Sequence, residues 1–229
     1  MFMHPTGILC ALERELAPFL AQMQKVTTKK AANLTLHTGQ LNGCPVFAAA
    51  CGIGKVNAAM AALTLIRDFG AAALINAGTA GGMAPQVKIL DTVVCAASAY
   101  HDLDPAFLTG RHIPHTADAR FAADSRLLAA AKKTAAGKPR AVHFGLTVTG
   151  DSFIDIDGRA AINEAFNPLC VDMESAACAH VCYVCNTPFI AVRAVSDSEE
   201  EHGEGVFEQH CAEASRLACE FVLDMLKAL

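Results

Sequence analysis

Acidic side chains follow apolar runs at three distant points of the sequence. Glu15 comes just after GILCAL, Glu174 comes just after PLCV, and Asp197 ends the run FIAVRAVSD. A carboxylate is rarely placed at the end of a buried run unless it binds a ligand or takes part in a reaction. Cleavage of a glycosidic bond needs one group that protonates the leaving group and another that positions water. Glu15, Glu174 and Asp197 are therefore candidates for such a site.

Each of these acids also has a structural explanation. Glu13 and Glu15 could be first-turn acids that the helix dipole favours, and Asp197 could be a helix N-cap. The glycine-rich segments CGIGKVNA and NAGTAGG allow a backbone to approach a ligand closely, and we interpret NAGTAGG (76–82) as a loop after a strand. Neither segment completes a phosphate-binding P-loop or a dinucleotide fingerprint. The residues alone leave both explanations open.

Apolar runs alternate with alanine-rich or amphipathic stretches along the chain. We expect strands at 6–12, 34–41, 44–51, 72–78, 89–97, 144–150 and 188–196. We expect helices from near Glu13, and at 54–69, 121–136 and 206–229. Asn42-Gly43 suits a tight hairpin turn. The alternation predicts one α/β domain over residues 1–229, a three-layer αβα sandwich around a mixed, largely parallel central sheet. Polar strand ends should face its ligand crevice.

The composition favours a compact protein without a membrane span. Hydrophobic residues make up 53% of the chain and charged residues 18%, which argues against disorder and fits a homo-oligomer. The net charge of −5 and the lack of a Lys/Arg cluster argue against nucleic acid as a partner. The apolar run GILCAL is only six residues long, so we expect neither a secretory leader nor a transmembrane helix.

The ten cysteines are interpreted as small buried side chains of a reduced, cytoplasmic protein. Cys178, Cys182 and Cys185 lie at positions i, i+4 and i+7, which places them on one stripe of a helix. The Cys182-x-x-Cys185 pair could instead bind a metal or exchange disulfides, but no second Cys/His pair at finger-like spacing accompanies it. We therefore expect core packing, with neither a cofactor nor a metal.

Seven segments of the chain match one known pattern in order. They are GILCALERELAPF, TLHTGQLNGCPVFAAACGIGKVNAAMA, LINAGTAGGMAP, AYHDLD, TGDSFI, VDMESAACAHVC and PFIAVRAVSD, and they run from about residue 7 to residue 197. In these segments the chain resembles the bacterial 5′-methylthioadenosine/S-adenosylhomocysteine nucleosidases of the nucleoside phosphorylase-like superfamily. The resemblance implies a homodimeric enzyme that hydrolyses the N-glycosidic bond of 5′-thio-substituted adenosines and releases adenine.

The resemblance also implies a role for each acid. Glu15 would orient or deprotonate the attacking water, and Glu174 would accept hydrogen bonds from the ribose 2′- and 3′-hydroxyls. Asp197 would be the general acid that gives a proton to purine N7, so a dry site should raise its pKa. Ser196 would orient Asp197, and Met173 would pack against the sugar ring.

Other positions are expected to contact the nucleoside. Phe153 would stack on adenine, the backbone of Ile154 would read the base edge, and Phe207 would close over the site. The remaining contacts are expected near strand ends, at Ile53, Thr79, Ala80 and Gly81.

Among the departures of the chain from the family, one residue and one loop leave a role open. Asp172 stands where the family usually has Glu, and its role stays open. In relatives the loop at 103–116 comes from the neighbouring subunit and covers the 5′-substituent, which suggests Phe107 or Leu108 for that contact. The preferred substituent stays open as well, with 5′-deoxyadenosine and aminodeoxyfutalosine as further candidate substrates.

Two other functions are compatible with the same fold. A purine nucleoside phosphorylase would use phosphate, which needs arginines or an equivalent group of donors. We expect Arg14 to point away from the site and Arg193 to pair with an internal acid, so hydrolysis is favoured. A catalytically silent nucleoside-binding module is the second alternative, but binding alone would need neither Glu15 nor Asp197.

Overall fold

The computed structural model describes residues 5–31, 34–109 and 116–229. The strands in this part of the chain are β1 (Thr6–Cys10), β2 (Gln24–Ala31), β3 (Leu34–Leu41), β4 (Cys44–Ala50), β5 (Ala73–Gly82), β6 (Thr92–Tyr100), β7 (Phe121–Ala122), β8 (Val142–Thr149), β9 (Cys170–Asp172) and β10 (Phe189–Asp197). The helices are α1 (Glu13–Gln22), α2 (Lys55–Arg67), α3 (Ser125–Ala135), α4 (Ile156–Phe166), α5 (Ser175–Val184) and α6 (Glu204–Lys227).

These strands form one mixed sheet in the order β10-β6-β8-β9-β5-β1-β4-β3-β2, with β7 beside β6. β10 also pairs with β5, so β10, β6, β8, β9 and β5 close into a ring from which the other strands extend. β1 runs parallel to both β4 and β5, and β5 runs parallel to β10. The carboxyl ends of these four strands therefore meet at one edge of the sheet.

Helices cover both faces of the sheet. On one face, α1, α3 and α6 contribute Phe19, Leu127 and Phe221 to an apolar core. On the other face, α2 and α5 contribute Leu65 and Cys178 to a second core. This arrangement confirms the predicted α/β class, with helices flanking a central mixed sheet. The closed ring of strands was not predicted, because the periodicity of apolar residues does not encode strand order.

The predicted hairpin is confirmed, and one further strand lies beside it. β3 and β4 pair antiparallel through Asn42 and Gly43, whose φ angles of 49° and 79° suit a tight primed turn. β2 pairs with β3, and its residues 24–30 are all exposed. A strand that is polar on both faces has no alternating apolar pattern, so the sequence does not predict β2.

Several element predictions are wrong in part. NAGTAGG is not a loop, because β5 continues through it to Gly82 by pairing with β10. The helix expected at 121–136 begins only at Ser125, since Asp124 caps it with two hydrogen bonds from backbone N–H groups. The strand expected at 89–97 lies three residues further along, as β6. α4 and the short β9 lie where no element is predicted.

All ten cysteines are free. Cys178 and Cys182 are buried in the core beneath α5, while Cys185 is half-buried just after that helix. Core packing is therefore confirmed for two members of the predicted stripe. In the part of the chain that the structure describes, no helix is long and apolar enough to cross a membrane.

The loop after β6 agrees only in part with its prediction. Leu108 is 3% exposed and packs in the core of its own subunit, so the expectation that it covers a neighbour's ligand is wrong. Phe107 is 55% exposed, and its contact with a neighbouring subunit stays a prediction. Residues 110–115 of this loop lie outside the described residues.

Candidate active site

One cavity of about 530 Å³ lies at the carboxyl edge of the sheet. Its volume is in the range of about 300–1,000 Å³ that is usual for small-molecule sites. The twelve residues predicted for the site all line it, namely Glu15, Ile53, Thr79, Ala80, Gly81, Phe153, Ile154, Met173, Glu174, Ser196, Asp197 and Phe207. Their convergence is thus a property of the fold, whereas the role of each one is still a prediction.

Glu15 is held by four hydrogen bonds at the start of α1. Its Oε2 accepts from the backbone N–H groups of Ala11 (2.9 Å) and Leu12 (3.0 Å). Its Oε1 accepts from the backbone N–H and from the hydroxyl of Thr79, both at 2.8 Å. The contact with Leu12 also caps the helix, so the structural and functional explanations of this residue are compatible. The carboxylate has one fixed orientation at the cavity wall.

The backbone of β5 passes very close to Glu15. A Cβ on Gly78 would lie 2.7 Å from Oε1 of Glu15 and 2.9 Å from a guanidinium nitrogen of Arg193. Both distances are too short for a carbon contact, so a larger residue would displace one of these side chains. This glycine of NAGTAGG is therefore required for close approach within a strand.

Glu174 lies at the start of α5 and is 4% exposed. Its Oε1 accepts from the backbone N–H of Gly54 at 2.9 Å, and its Oε2 lies 3.7 Å from Arg193. Asp172 forms an ion pair with Arg193 at 2.9 Å. The other oxygen of Asp172 accepts from the backbone N–H groups of Glu174 (3.2 Å) and Ser175 (3.1 Å). Asp172 therefore positions both Arg193 and the segment that carries Glu174.

Arg193 is fully buried in β10, and its pairing with internal acids confirms the prediction. It also donates to the side chain of Asn76, to the hydroxyl of Ser175 at 3.0 Å and to the carbonyl of Thr79 at 3.5 Å. Each of its three nitrogens thus contacts a protein acceptor. The guanidinium is not available to hold a phosphate group.

Burial raises the pKa of Glu174 from 4.5 to about 7; Asp172 and Glu15 add to the rise, and Arg193 opposes it. Between these two pH values, Glu174 keeps its proton in the folded protein and has lost it in the unfolded chain. The stability that Glu174 contributes is present below pH 4.5 and is lost as the pH rises through about 7.

Glu174→Gln is therefore expected to become more stable relative to wild type as the pH rises from 4.5 to 8. The amide does not have to lose a proton in a buried place, whereas the wild-type carboxyl does. Urea unfolding at several pH values measures the difference. Glu13→Gln, at an exposed position, is the control and should give a flat difference. A flat difference for Glu174→Gln as well would contradict the perturbed pKa.

Asp197 ends β10 and is 2% exposed. Its Oδ1 accepts from the hydroxyl of Ser196 at 2.9 Å, and its Oδ2 accepts from the guanidinium of Arg159 at 2.8 Å. Burial raises the pKa of Asp197, while Ser196 and Arg159 oppose that rise. The direction of the shift is the one that a general acid needs near neutral pH.

Arg159 is the residue of this region that the sequence does not reveal. It lies on α4 and is 2% exposed, with one nitrogen on Asp197 and another on the carbonyl of Gly82. Only Arg159 and Ile162 are buried on this helix, so no apolar period marks α4 in the sequence. No motif singles out the arginine either.

Two aromatic rings meet at the rim of the cavity. Phe153 and Phe207 are in edge-to-face contact, with their centroids 6.3 Å apart and their planes at 70°. Arg14 lies over Phe207, 4.9 Å from the ring centroid, and forms an ion pair with Glu208 at 2.6 Å. Arg14 lines the cavity, so the expectation that it points away from the site is wrong, but its charge is matched by Glu208.

Comparison with known proteins identifies the family. The Phosphorylase superfamily matches residues 5–227. A curated 5′-methylthioadenosine/S-adenosylhomocysteine nucleosidase from Actinobacillus succinogenes is 38% identical over 226 residues, which cover 97% of this chain and 98% of that protein. The chain belongs to this nucleosidase family.

Solved structures of the family share the fold. The Neisseria meningitidis nucleosidase, in complex with methylthio-immucillin-A, superimposes with a TM-score of 0.91 at 34% identity, covering 99% of this chain and 100% of that one. The Streptococcus pyogenes S-adenosylhomocysteine nucleosidase, in complex with 5-methylthiotubericidin, gives 0.93 at 31% identity and covers 100% and 98%. Family membership confirms the resemblance that the sequence motifs indicate, and with it the class of N-glycosyl hydrolase.

Proposed function

We propose that this protein hydrolyses the N-glycosidic bond of 5′-thio-substituted adenosines, such as 5′-methylthioadenosine and S-adenosylhomocysteine, and releases adenine. The convergence of three buried carboxylates, Glu15, Glu174 and Asp197, on one cavity carries the proposal. Each carboxylate has different partners, as three different roles require. The substrate class is supported by the names of the curated relatives, which are 36–38% identical to this chain.

Glu174 and Glu15 would act on the sugar. Gly54 fixes one oxygen of Glu174, and the carboxylate would accept hydrogen bonds from the two vicinal ribose hydroxyls. A water beside Glu15 would form a bond to the anomeric carbon through its oxygen and pass a proton to Glu15. The oxocarbenium-like state that precedes this bond is positive, so surrounding carboxylates stabilise it.

Asp197 would act on the base. Its proton goes to purine N7 while the electron pair of the glycosidic bond moves into the purine, so that adenine leaves uncharged. Burial raises the pKa of Asp197, which is the direction that favours its protonated form. Phe153 would stack on adenine, and Phe207 would cover the ligand from the rim.

The charges around the cavity favour water over phosphate as the nucleophile. Seven of its lining residues are acidic, namely Glu15, Asp151, Asp172, Glu174, Asp197, Glu204 and Glu208. Arg14 is the basic residue among them, and it is paired with Glu208. A phosphate dianion would be repelled there, because it needs unpaired cationic donors. A silent binding module would have no use for Glu15 and Asp197 together.

An adenine-release assay tests the proposal. The substrates are 5′-methylthioadenosine, S-adenosylhomocysteine, 5′-deoxyadenosine and aminodeoxyfutalosine, each with and without phosphate. We expect adenine and a free sugar at a rate that phosphate does not change, with the 5′-thio substrates preferred. A phosphate-dependent rate and a sugar 1-phosphate product would establish the phosphorylase instead. Binding without release of adenine from any of the four would establish the silent module.

We also propose that the protein is a homodimer. The outer face of α2 carries Val56, Met60 and Leu63 at helical spacing, with exposed fractions of 69%, 48% and 47%. Ile53, just before this helix, is 51% exposed and also lines the cavity. A second copy on this face would bury the apolar stripe and cover the cavity beside Ile53.

Met60→Asp is expected to convert the dimer to a monomer, because it places an unpaired charge inside an apolar interface. Adenine release should fall with it, since the cavity beside Ile53 would stay open to water. Light scattering after size-exclusion chromatography measures the first effect. Val26→Asp, at an apolar position that is 43% exposed on β2, is the control and should change neither property. A dimeric Met60→Asp variant would exclude this face.

We further propose one catalytic domain in the cytoplasm. A single sheet supplies the strand ends that surround the cavity, which supports one domain. The ten free thiols support a reducing compartment.

A further inference from the structure

The ion pair between Arg159 and Asp197 is unusual next to a residue that has to carry a proton. The two side chains are 2% and 3% exposed, and the nitrogen and oxygen that join them are 2.8 Å apart. Asp197 lines the cavity, whereas Arg159 is not among the lining residues. The guanidinium therefore contacts the carboxyl group without itself lining the cavity.

We propose that Arg159 is a positioning residue, which holds the Asp197 carboxyl toward the leaving base and balances the negative charge that this group acquires when it gives up its proton. The role rests on the proposed function, in which Asp197 protonates the purine. Ser196 and Arg159 each contact one carboxyl oxygen, at 2.9 and 2.8 Å, from β10 and from α4. Because two elements fix the two oxygens, the plane of the carboxyl group is fixed as well.

The backbone of β5 passes close to this pair. A Cβ on Gly81 would lie 3.0 Å from Oδ2 of Asp197 and 3.3 Å from the guanidinium of Arg159. A side chain at this position would therefore press on the two groups of the ion pair. The guanidinium of Arg159 also donates to the carbonyl of Gly82. Two acceptors, this carbonyl and the Asp197 carboxyl, therefore hold Arg159 in place.

The positive charge of Arg159 can increase the reaction rate because Asp197 loses its proton during the reaction. Before the transfer, a neutral carboxyl group faces the guanidinium; afterwards, a carboxylate faces it, and both side chains are at most 3% exposed. Their attraction is therefore stronger in the transition state than in the ground state, which is the condition for a contribution to rate. Without Arg159 the reaction would have to create an unpaired buried carboxylate, which is costly.

The charged and titratable groups that face Asp197 allow the pH dependence to be worked out. They are Arg159 on α4 and Asp155 before that helix, and the hydroxyl of Ser196 also contacts the carboxyl. Asp155 is itself paired with His202 at 2.7 Å. Burial raises the pKa of Asp197 and Arg159 lowers it, so removal of the guanidinium should raise it further. An acid that must be protonated loses activity as the pH rises through its pKa, and this loss should move to higher pH.

The test compares pH profiles of adenine release for Arg159→Gln, Arg159→Lys and wild type. For Arg159→Gln we expect kcat at neutral pH to fall on the order of 100-fold, and the alkaline limb to move up by about one pH unit. Lys keeps a charge but lacks the planar fork with which Arg159 donates to Gly82 and Asp197 from two separate nitrogens, so its limb should lie between the other two. Asn163→Ala is the matched control, because Asn163 lies one turn further on α4 and donates to the carbonyl of Met83 at 3.3 Å. Its limb should coincide with that of wild type.

A wild-type alkaline limb in Arg159→Gln would reduce Arg159 to a structural residue and overturn the inference. If Arg159→Gln does not fold, the Arg159→Lys variant provides the test. A lowered kcat together with an alkaline limb at the wild-type pH would then overturn the inference in the same way. Arg159→Gln should also have no further effect on kcat in an Asp197→Asn background, and independent effects would contradict the coupling. If Asp197 is not the general acid of the proposed function, the result is distinguishable, because Asp197→Asn alone would then keep the wild-type rate.

Discussion

Glu15→Gln is expected to remove turnover while leaving ligand binding largely intact. We expect kcat for 5′-methylthioadenosine to fall by at least about 10³-fold, because an amide cannot take the proton of the attacking water. Whichever way the amide is turned, its nitrogen faces two of the four groups that now donate to Glu15. The remaining reaction therefore also lacks a correctly oriented acceptor. Single-turnover adenine release and the Kd of 5-methylthiotubericidin measure the two effects separately.

Glu13→Gln is the matched control for this experiment. Glu13 lies in the same first turn of α1 but is exposed, so its loss should leave kcat and Kd at their wild-type values. A Glu15→Gln variant with a near wild-type rate would show that another group activates the water. Loss of ligand binding together with turnover would instead assign Glu15 a structural role, since water activation affects the transition state and not the bound substrate.

Asp197→Asn is expected to have the second large effect, a fall in kcat of about 10³-fold for substrates that release adenine. The amide has no acidic proton to give, so the purine would have to depart as an anion. A 5-methylthioribose carrying a 4-nitrophenyl leaving group needs no proton for departure. We therefore expect the variant to cleave that substrate at close to the wild-type rate. The ratio of the two rates measures proton donation directly.

Glu199→Gln, an exposed position just beyond β10, is the control for the effect of Asp197→Asn. It should leave both rates unchanged. An equal loss on both substrates in Asp197→Asn would mean that Asp197 acts by shaping the cavity. An unimpaired release of adenine would exclude it as the acid.

The convergence of the acidic residues on one site could be predicted, because it depends on patterns that are visible in short stretches of the sequence. Continuous apolar runs mark buried strands, and the carboxyl ends of parallel strands share one edge of a sheet. Glu15 and Asp197, which follow two such runs, therefore had to lie near one another once β1, β5 and β10 were parallel neighbours. The family motifs then assigned a role to each position.

What the sequence did not predict depends on contacts between distant residues. Arg159 lies on a helix with too few buried positions to show a period, and its partner is 38 residues away. An internal acid was predicted as the partner of Arg193, but its identity as Asp172 was not, because the pair joins two strands whose relative placement is not encoded in either of them. NAGTAGG is misread for a related reason. Glycine usually marks a turn, but here Gly78 is needed inside a strand because Glu15 and Arg193 pack against it.

The path of β5 has a consequence for how this enzyme can change. Thr79 contacts the acid proposed for the water side, and Gly81 adjoins the acid proposed for the base side. Two residues of extended chain span about 6.6 Å. The strand therefore fixes the distance between the acid on the water side of the glycosidic bond and the acid on its base side. A single insertion or deletion between them would turn one side chain to the opposite face and separate the two half-reactions. New substrate preferences should therefore arise from the loops around the rim, while this strand keeps its length.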